Sequence, residues 1–158
     1  MNDQVRYFNQ HEMRLILIMA VLVSTLGNSS IFAQLTPFCS AVNNKYGYKN
    51  GEGKVVVAPR YDLAYRFEEG MATVRTGGKY GYIDENGKEV VSPKYDFTWR
   101  FIGGYAAVKL GNRFGFIDKT GKEVIPLIYD EANNYHGNCC YKGMAHVKEN
   151  GKWKIIRL

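Results

Sequence analysis

The sequence predicts an all-β protein built from tandem units of 34 residues. An aromatic–glycine pair recurs at that interval, at Tyr46-Gly47, Tyr80-Gly81 and Phe114-Gly115. Each interval contains several glycines and a proline, and none carries apolar residues at helical spacing, which argues against paired helices. Segments such as Met71–Thr76 alternate in hydrophobicity, as half-buried strands do. We therefore predict three-stranded antiparallel meanders, stacked as an open, solenoid-like array in preference to a closed propeller or barrel.

The first strand of each unit alternates small apolar residues with polar ones. In Met71–Thr76, Ala72 and Val74 share one face, and Tyr105–Leu110 and Met144–Lys148 repeat this pattern. Each first strand is followed by two residues that tolerate positive φ, as a two-residue hairpin turn requires. These pairs are Asn43-Asn44, Gly77-Gly78, Gly111-Asn112 and Asn150-Gly151. The second strand then begins with a lysine or arginine and, in the first three units, carries the aromatic–glycine pair.

The second turn of the unit is of another kind. Asp84 and Asp118 each open a turn that closes on a glycine, and these glycines keep the 34-residue period at Gly53, Gly87 and Gly121. Thr120 is β-branched and resists positive φ. We therefore predict a type I turn closed by a left-handed glycine, with the aspartate accepting backbone N–H groups. A third strand follows, and a proline is expected to end its pairing, at Pro59, Pro93 or Pro126.

A connector then leads to the next unit from a recurring Tyr-Asp pair, at Tyr61-Asp62, Tyr95-Asp96 and Tyr129-Asp130. Three short strands bury little apolar surface alone, so the units must stack. We expect the stacking contacts to come from the alanine–valine faces and from Tyr61, Tyr95, Tyr129, Phe67 and Phe101. The predicted units span about 38–58, 70–92 and 104–126, with a partial unit at 143–158.

These spaced positions resemble the WG repeat over about residues 35–158. The family's tryptophan is replaced by Tyr46, Tyr80 and Phe114; Trp153 retains it, but Lys154 stands there in place of the glycine. The resemblance implies a β-repeat architecture in a family that is mostly bacterial and often exported. That family has no common assigned activity, so the resemblance transfers no catalytic residue.

Residues 1–33 have the features of a secretory signal peptide. Arg6 and Arg14 precede nine apolar residues at 15–23, and Ala33 supplies a small residue at the exit. The apolar run is shorter than the ~20 residues of a membrane-spanning helix. An uncleaved anchor is the alternative. We expect an extracytoplasmic protein, periplasmic or secreted, with no membrane span after signal removal.

Composition restricts the functional classes. The chain has 158 residues, room for one domain, and three cysteines, too few for a disulfide scaffold. Its net charge of +6 would favour anionic partners such as acidic glycans or membrane surfaces, but lysines are dispersed around the turns, so we predict no nucleic-acid partner. The sequence contains no nucleophile–base set, phosphate loop or dinucleotide motif, and we predict a protein that is not an enzyme and takes no cofactor.

The third connector breaks the period. It runs over twelve residues, 131–142, where the connectors 63–69 and 97–103 have seven. It contains a dense group of side chains: Tyr135, His136, Cys139, Cys140 and Tyr141. A tolerated insertion, a disulfide from Cys39 to Cys139 or Cys140, and metal binding by His136, Cys139 and Cys140 all remain open. A structural zinc site has four ligands at recognisable spacing, which this group does not match, so we predict no metal.

Two functional hypotheses follow. The leading one is an exported, non-enzymatic repeat module that binds a protein or a glycan at the cell envelope. Its candidate contacts are aromatic residues interpreted as non-periodic: Trp99, Tyr135, Tyr141 and Tyr65. Packing within the connectors is the alternative interpretation of each, because aromatic residues fill cores as readily as binding surfaces. The second hypothesis is an enzyme or metal-binding protein with its site in 131–142.

Overall fold

The computed structural model describes residues 35–133 and 143–158. These residues belong to one compact unit, Gln34–Leu158. Every regular element within the two described ranges is a β-strand. Accordingly, no helix long and apolar enough to cross a membrane occurs in this part of the chain.

The described strands form four antiparallel sheets that follow one another along the chain. Sheet 1 contains β1 (Thr36–Cys39), β2 (Tyr46–Lys49) and β3 (Val55–Tyr61). Sheet 2 contains β4 (Leu63–Ala64), β5 (Met71–Thr76), β6 (Lys79–Asp84) and β7 (Glu89–Tyr95). Sheet 3 contains β8 (Phe97–Thr98), β9 (Tyr105–Leu110), β10 (Arg113–Asp118) and β11 (Glu123–Tyr129). Sheet 4 contains β12 (Glu131–Asn133), β13 (Met144–Glu149) and β14 (Lys152–Arg157).

The predicted all-β array of tandem units is confirmed, and the strands of the described residues form an open array with no closed barrel. The connectors were predicted only to link consecutive units, but each begins with a short strand that joins the sheet of the next unit. β4 pairs with β5 through Leu63 and Arg75, and β8 pairs with β9 through Phe97 and Lys109. A three-stranded meander therefore becomes a four-stranded sheet in the two middle units.

The hairpin turns follow the prediction in three units. Gly77 and Gly78 have φ of +57° and +80°, and Asn150 and Gly151 have +51° and +77°. In the two-residue turn between Leu110 and Arg113, positive φ occurs at Gly111 alone, at +60°. The two-residue turn predicted at Asn43-Asn44 is wrong. Residues 41–44 form a four-residue loop there, closed by a hydrogen bond of 2.9 Å from the Ser40 N–H to the Lys45 carbonyl. This turn has no glycine, and the longer loop requires positive φ at Asn44 alone.

The aspartate turns have the predicted geometry. Gly87 has φ of +78° and donates its N–H to the Asp84 carbonyl at 2.9 Å. The Asp84 side chain accepts the N–H groups of Asn86 and Lys88, both at 2.9 Å. Asp118 repeats this arrangement with Thr120 and Lys122, and Asn50 takes the same role in sheet 1. These recurring polar side chains accept hydrogen bonds from the N–H groups of a turn, so their recurrence has a structural reason and does not mark a functional site.

The prediction that a proline ends the third strand is wrong. β7 continues through Pro93 to Tyr95, which pairs with Tyr80. The register shifts between the Tyr80–Tyr95 and Tyr82–Val91 pairs, so the strand bulges between them. Pro93 lies in this bulge, where a missing N–H does not interrupt the ladder.

The bulge explains the glycine of each aromatic–glycine pair. A Cβ at Gly81 would lie 2.7 Å from the backbone nitrogen of Pro93, and the bulged strand crowds Gly47 and Gly115 in the same way. Lys154 occupies this position in sheet 4, where the described residues place no third strand beside β14. A side chain is therefore tolerated at Lys154, because no bulged strand of the described residues lies against it.

Consecutive sheets stack through three apolar clusters, as predicted. Sheet 2 meets sheet 1 with the buried face of Ala72, Val74 and Ile83, and meets sheet 3 with the opposite face. The tyrosines and phenylalanines expected at the junctions are all buried: Tyr61, Tyr95, Tyr129, Phe67 and Phe101. The turn glycines also take part, since a Cβ at Gly121 would lie 2.8 Å from Cγ2 of Val91 in the preceding sheet.

The connector aspartates also link consecutive sheets. Asp96 accepts Lys79 Nζ of sheet 2 at 2.5 Å and the Gly111 N–H of sheet 3 at 2.6 Å. These two hydrogen bonds, Lys79 first, lower the pKa of Asp96. Asp62 contacts Lys45 and Gly77 in the same way, and Asp130 contacts Arg113 and Asn150. The recurring Tyr-Asp pair is thus a joint between units.

Candidate binding groove

A groove of about 670 Å³ opens between the first connector, 63–69, and the second connector, 97–103. Its floor comes from the face of sheet 2 that carries Met71, Thr73 and Tyr82. Its walls include Tyr65, Arg66, Tyr80, Phe97, Trp99 and Arg100. This volume lies within the usual range for sites of small ligands, roughly 300–1,000 Å³.

Two of the predicted contact residues, Tyr65 and Trp99, lie in this one groove. Their interpretation as non-periodic is wrong, since they are 34 residues apart and occupy the same place after β4 and β8. The backbone of each is held on both sides. The Trp99 N–H donates to the Ala107 carbonyl at 3.0 Å, and its carbonyl accepts the Tyr82 hydroxyl at 2.5 Å.

Tyr65 is held by the equivalent bonds. Its N–H donates to Thr73 at 2.9 Å, and its carbonyl accepts the Tyr48 hydroxyl at 2.8 Å. Burial raises the pKa of Tyr48 and of Tyr82, so both hydroxyls stay protonated and remain donors. Tyr65 and Trp99 therefore carry their rings on backbone that is fixed by the sheets on either side.

An aromatic row continues from the groove into sheet 3. Ring centroids are 5.7 Å apart for Tyr80 and Phe97, 4.7 Å for Phe97 and Trp99, and 5.9 Å for Trp99 and Phe114. Phe97 is 43% exposed and Tyr65 50% exposed, whereas Trp99 is half-buried. Edge-to-face packing of this kind holds the Trp99 ring in place without covering it.

Sequence reasoning missed Phe97 and treated Tyr80 as structural only. The signal that could have found them is the pairing of strands across a sheet. Phe97 lies opposite Lys109, and Lys109 lies opposite Phe114, so their side chains share one face. The connector strand that creates this row was not foreseen.

Charged side chains line the rim of the groove. Arg100 Nη1 lies 3.4 Å from Glu68 Oε1, an exposed ion pair. Arg66 is also exposed, and no carboxylate of the described residues forms an ion pair with it. Among the described residues that line the groove, Glu68 alone carries a carboxyl group. The groove therefore offers aromatic faces and charged hydrogen-bonding groups at its rim, but its described lining lacks a second carboxyl for paired acid–base chemistry.

Comparison with known proteins agrees with this repeat geometry. The family model described as WG containing repeat matches residues 46–80, 80–114 and 114–153 in tandem, well over half of the 158 residues. This chain belongs to the WG containing repeat family. Each matched WG repeat begins at an aromatic–glycine position, and the aromatic residues of two of them, Tyr80 and Phe114, belong to the aromatic row. No curated protein and no solved structure matches the chain.

Several predicted residues lie outside the described part of this WG-repeat protein. They are the candidate contacts Tyr135 and Tyr141 and the metal alternative His136, Cys139 and Cys140. Cys39 is exposed on β1, and its pairing with Cys139 or Cys140 stays a prediction. In the described ranges alone, no group of three or more His, Cys, Asp or Glu side chains could hold a metal ion.

Glu69 joins the two connectors of the groove across one WG-repeat junction. Its carboxylate accepts the N–H groups of Gly103 at 2.7 Å and Gly104 at 2.9 Å, with Lys119 Nζ 3.4 Å away. Burial by itself would raise the pKa of Glu69, but these two backbone bonds and the Lys119 charge outweigh it and lower that pKa. The carboxylate therefore stabilises the fold in its ionised form.

We expect Glu69→Gln to lower the free energy of unfolding at pH 7 and to matter less at pH 3. Because the folded pKa lies below the unfolded value of about 4.3, the contribution is complete above that value and is lost as the pH falls through the folded pKa. Urea unfolding of both proteins at the two pH values measures it. Glu52→Gln in the exposed turn of sheet 1 is the control. A difference between wild type and Glu69→Gln that does not shrink at pH 3 would contradict the assignment.

Proposed function

We propose that this WG-repeat protein is an exported, non-enzymatic binding module of the cell envelope, and that it binds a glycan chain in the groove between its first two connectors. One observation carries the proposal. Two aromatic rings at equivalent positions of consecutive units, Tyr65 and Trp99, line a single groove on backbone that is held from both sides. The backbone that carries both rings is therefore ordered before any ligand arrives.

A sugar chain fits the chemistry of this groove. The C–H faces of a pyranose ring carry small positive charges and pack on the negative face of an aromatic ring. The hydroxyl groups at the rim of the sugar need donors and acceptors, which Arg100 and Glu68 provide side by side at 3.4 Å. Pre-positioned rings matter because an ordered site loses less side-chain entropy on binding.

Export supports the choice of ligand. The signal features of residues 1–33 predict passage out of the cytoplasm into the periplasm or the medium, where envelope glycans are within reach. The mass of the protein purified after expression of the full-length chain tests this step. Cleavage after Ala33 is expected, and an intact N-terminus would contradict it.

Binding of the purified protein to a panel of immobilised glycans and peptides tests the groove. We expect Trp99→Ala to lower affinity for the bound glycan by at least about tenfold, which corresponds to about 1.4 kcal/mol. Trp153→Ala is the matched control, because Trp153 is 51% exposed on sheet 4 and does not line the groove. A cooperative thermal unfolding transition in both variants shows that the fold is intact.

The outcomes separate the alternatives. Glycan binding that survives Trp99→Ala would place the site elsewhere and refute the groove. Peptide binding that depends on Trp99, without glycan binding, would keep the binding module and replace the ligand class. The second hypothesis, an enzyme or metal site in 131–142, gains no support from the described residues of that segment, Glu131–Asn133, which form β12.

A further inference from the structure

We infer that the glycan bound in the groove is acidic, with carboxylate groups on its sugars, and that Arg66 binds a carboxylate. This inference rests on the proposed function, since it names the chemical class of ligand for the same groove. It follows from the distribution of charge around the aromatic rings. The uncharged glycans compatible with the aromatic rings alone would not use that charge.

The lining of the groove carries one positive charge more than its negative charge. It contains two guanidinium groups, on Arg66 and Arg100, and one carboxylate, on Glu68. Glu68 pairs with Arg100 at 3.4 Å. No carboxylate of the described chain pairs with Arg66, which follows Tyr65 directly and lines the groove with it. A cation therefore lies beside an aromatic platform, as recognition of an acidic sugar requires.

Arginine is well suited to a carboxylate ligand. Its planar guanidinium group can donate two parallel hydrogen bonds to the two carboxylate oxygens, which fixes orientation as well as charge. The single uncompensated charge also matches the one negative charge of a uronic acid residue. A phosphate monoester would bring about −1.5 to −2, more than this groove compensates.

Two further cations lie over rings of the aromatic row. The Arg75 guanidinium lies 5.4 Å from the centroid of the Tyr80 ring, and Lys109 Nζ lies 5.4 Å from the centroid of the Phe114 ring. Asp62 interacts electrostatically with Arg75, and Asp96 with Lys109, so the uncompensated positive charge of the groove remains that of Arg66. The net charge of +6 acts in the same direction, because it raises the local concentration of an anionic polymer.

Tryptophan fluorescence gives a direct test. The chain has two tryptophans, so Trp153→Phe leaves Trp99 as the only reporter. This protein is titrated with trimers of galacturonate, glucuronate and mannuronate, with their methyl esters, which have the same sugar rings without the charge, and with a glycerol-phosphate polymer. We expect at least one acid trimer to bind at least about tenfold more tightly than its ester, and more weakly as salt is raised.

Arg66→Gln in the same background is expected to remove that preference, because the affinity for the acid falls to about that for the ester. Arg157→Gln, which removes an exposed guanidinium on sheet 4, is the matched control and is expected to change affinity less than twofold. Equal binding of acid and ester, or a preference that survives Arg66→Gln, would overturn the inference. Failure of all three acid trimers, or tighter Arg66-dependent binding of the glycerol-phosphate polymer, would overturn it as well.

Failure of the inference is distinguishable from failure of the proposed function. Trp99-dependent binding of a neutral glycan leaves the binding module standing and removes only the acidic ligand. If Trp99→Ala weakens the binding of no glycan in the panel, both the acidic ligand and the proposed glycan binding in the groove are refuted.

Discussion

Gly81→Ala is expected to lower the free energy of unfolding by about 3 kcal/mol or more. The new Cβ would lie 2.7 Å from the backbone nitrogen of Pro93, and also against the Val91 carbonyl. Both are backbone atoms of the bulge in β7, so no change of rotamer relieves the clash. A loss of this size is a large part of the total stability of a domain, which is about 5–15 kcal/mol. Urea unfolding of the variant measures it.

The chain provides its own control at the same repeat position. Lys154 stands in sheet 4 where Gly81 stands in sheet 2, and it already carries a Cβ. Lys154→Ala removes an exposed ion pair with Glu149, which solvent screens, and is expected to change stability little. If Gly81→Ala costs no more than Lys154→Ala, the bulge is not the reason for the glycine.

Tyr82→Ala is expected to cost about 3–5 kcal/mol and to disturb the groove as well. Tyr82 is 1% exposed, and its ring packs edge-to-face on Phe101 with centroids 4.8 Å apart. Its removal leaves a cavity between sheets 2 and 3 and also removes the donor that holds the Trp99 carbonyl. Urea unfolding and the fluorescence of Trp99 in the Trp153→Phe background report the two effects.

Tyr82→Phe separates packing from the hydrogen bond. It retains the ring against Phe101 and removes only the hydroxyl, so the expected loss of stability is about 1 kcal/mol. The emission of Trp99 is nevertheless expected to change, because its carbonyl loses the bond of 2.5 Å. An unchanged emission spectrum in Tyr82→Phe would show that this bond does not position Trp99.

Local patterns predicted most of the fold. The alternation in Met71–Thr76, the Asp84 turn and the buried tyrosines of the connectors all depend on residues close in sequence or repeated at 34 positions. The errors have non-local causes. Pro93 was expected to end β7, but the bulge that accommodates it forms only when β6 lies alongside. The prediction for the loop 41–44 was wrong because the loop length depends on the register in which β1 pairs with β2.

The candidate groove was predicted only in part. Trp99 and Tyr65 were chosen as aromatic residues interpreted as non-periodic, yet they are 34 residues apart and their shared groove was not foreseen. Phe97 was missed because its exposure follows from the short strand β8, which exists only as a partner of β9. The uncompensated charge of Arg66 could not be inferred either, because it depends on Glu68 pairing with Arg100 across two units.

The sequence by itself determined the repeat, its period, the aspartate turns and the all-β class, because these follow from side-chain alternation and from backbone preferences of single residues. Only the tertiary structure decided why Gly81 must be glycine, how the connectors join the sheets, and where the aromatic rings meet. These features arise between strands of one sheet or between successive sheets, and the distance between such residues is set by the packing of the whole array.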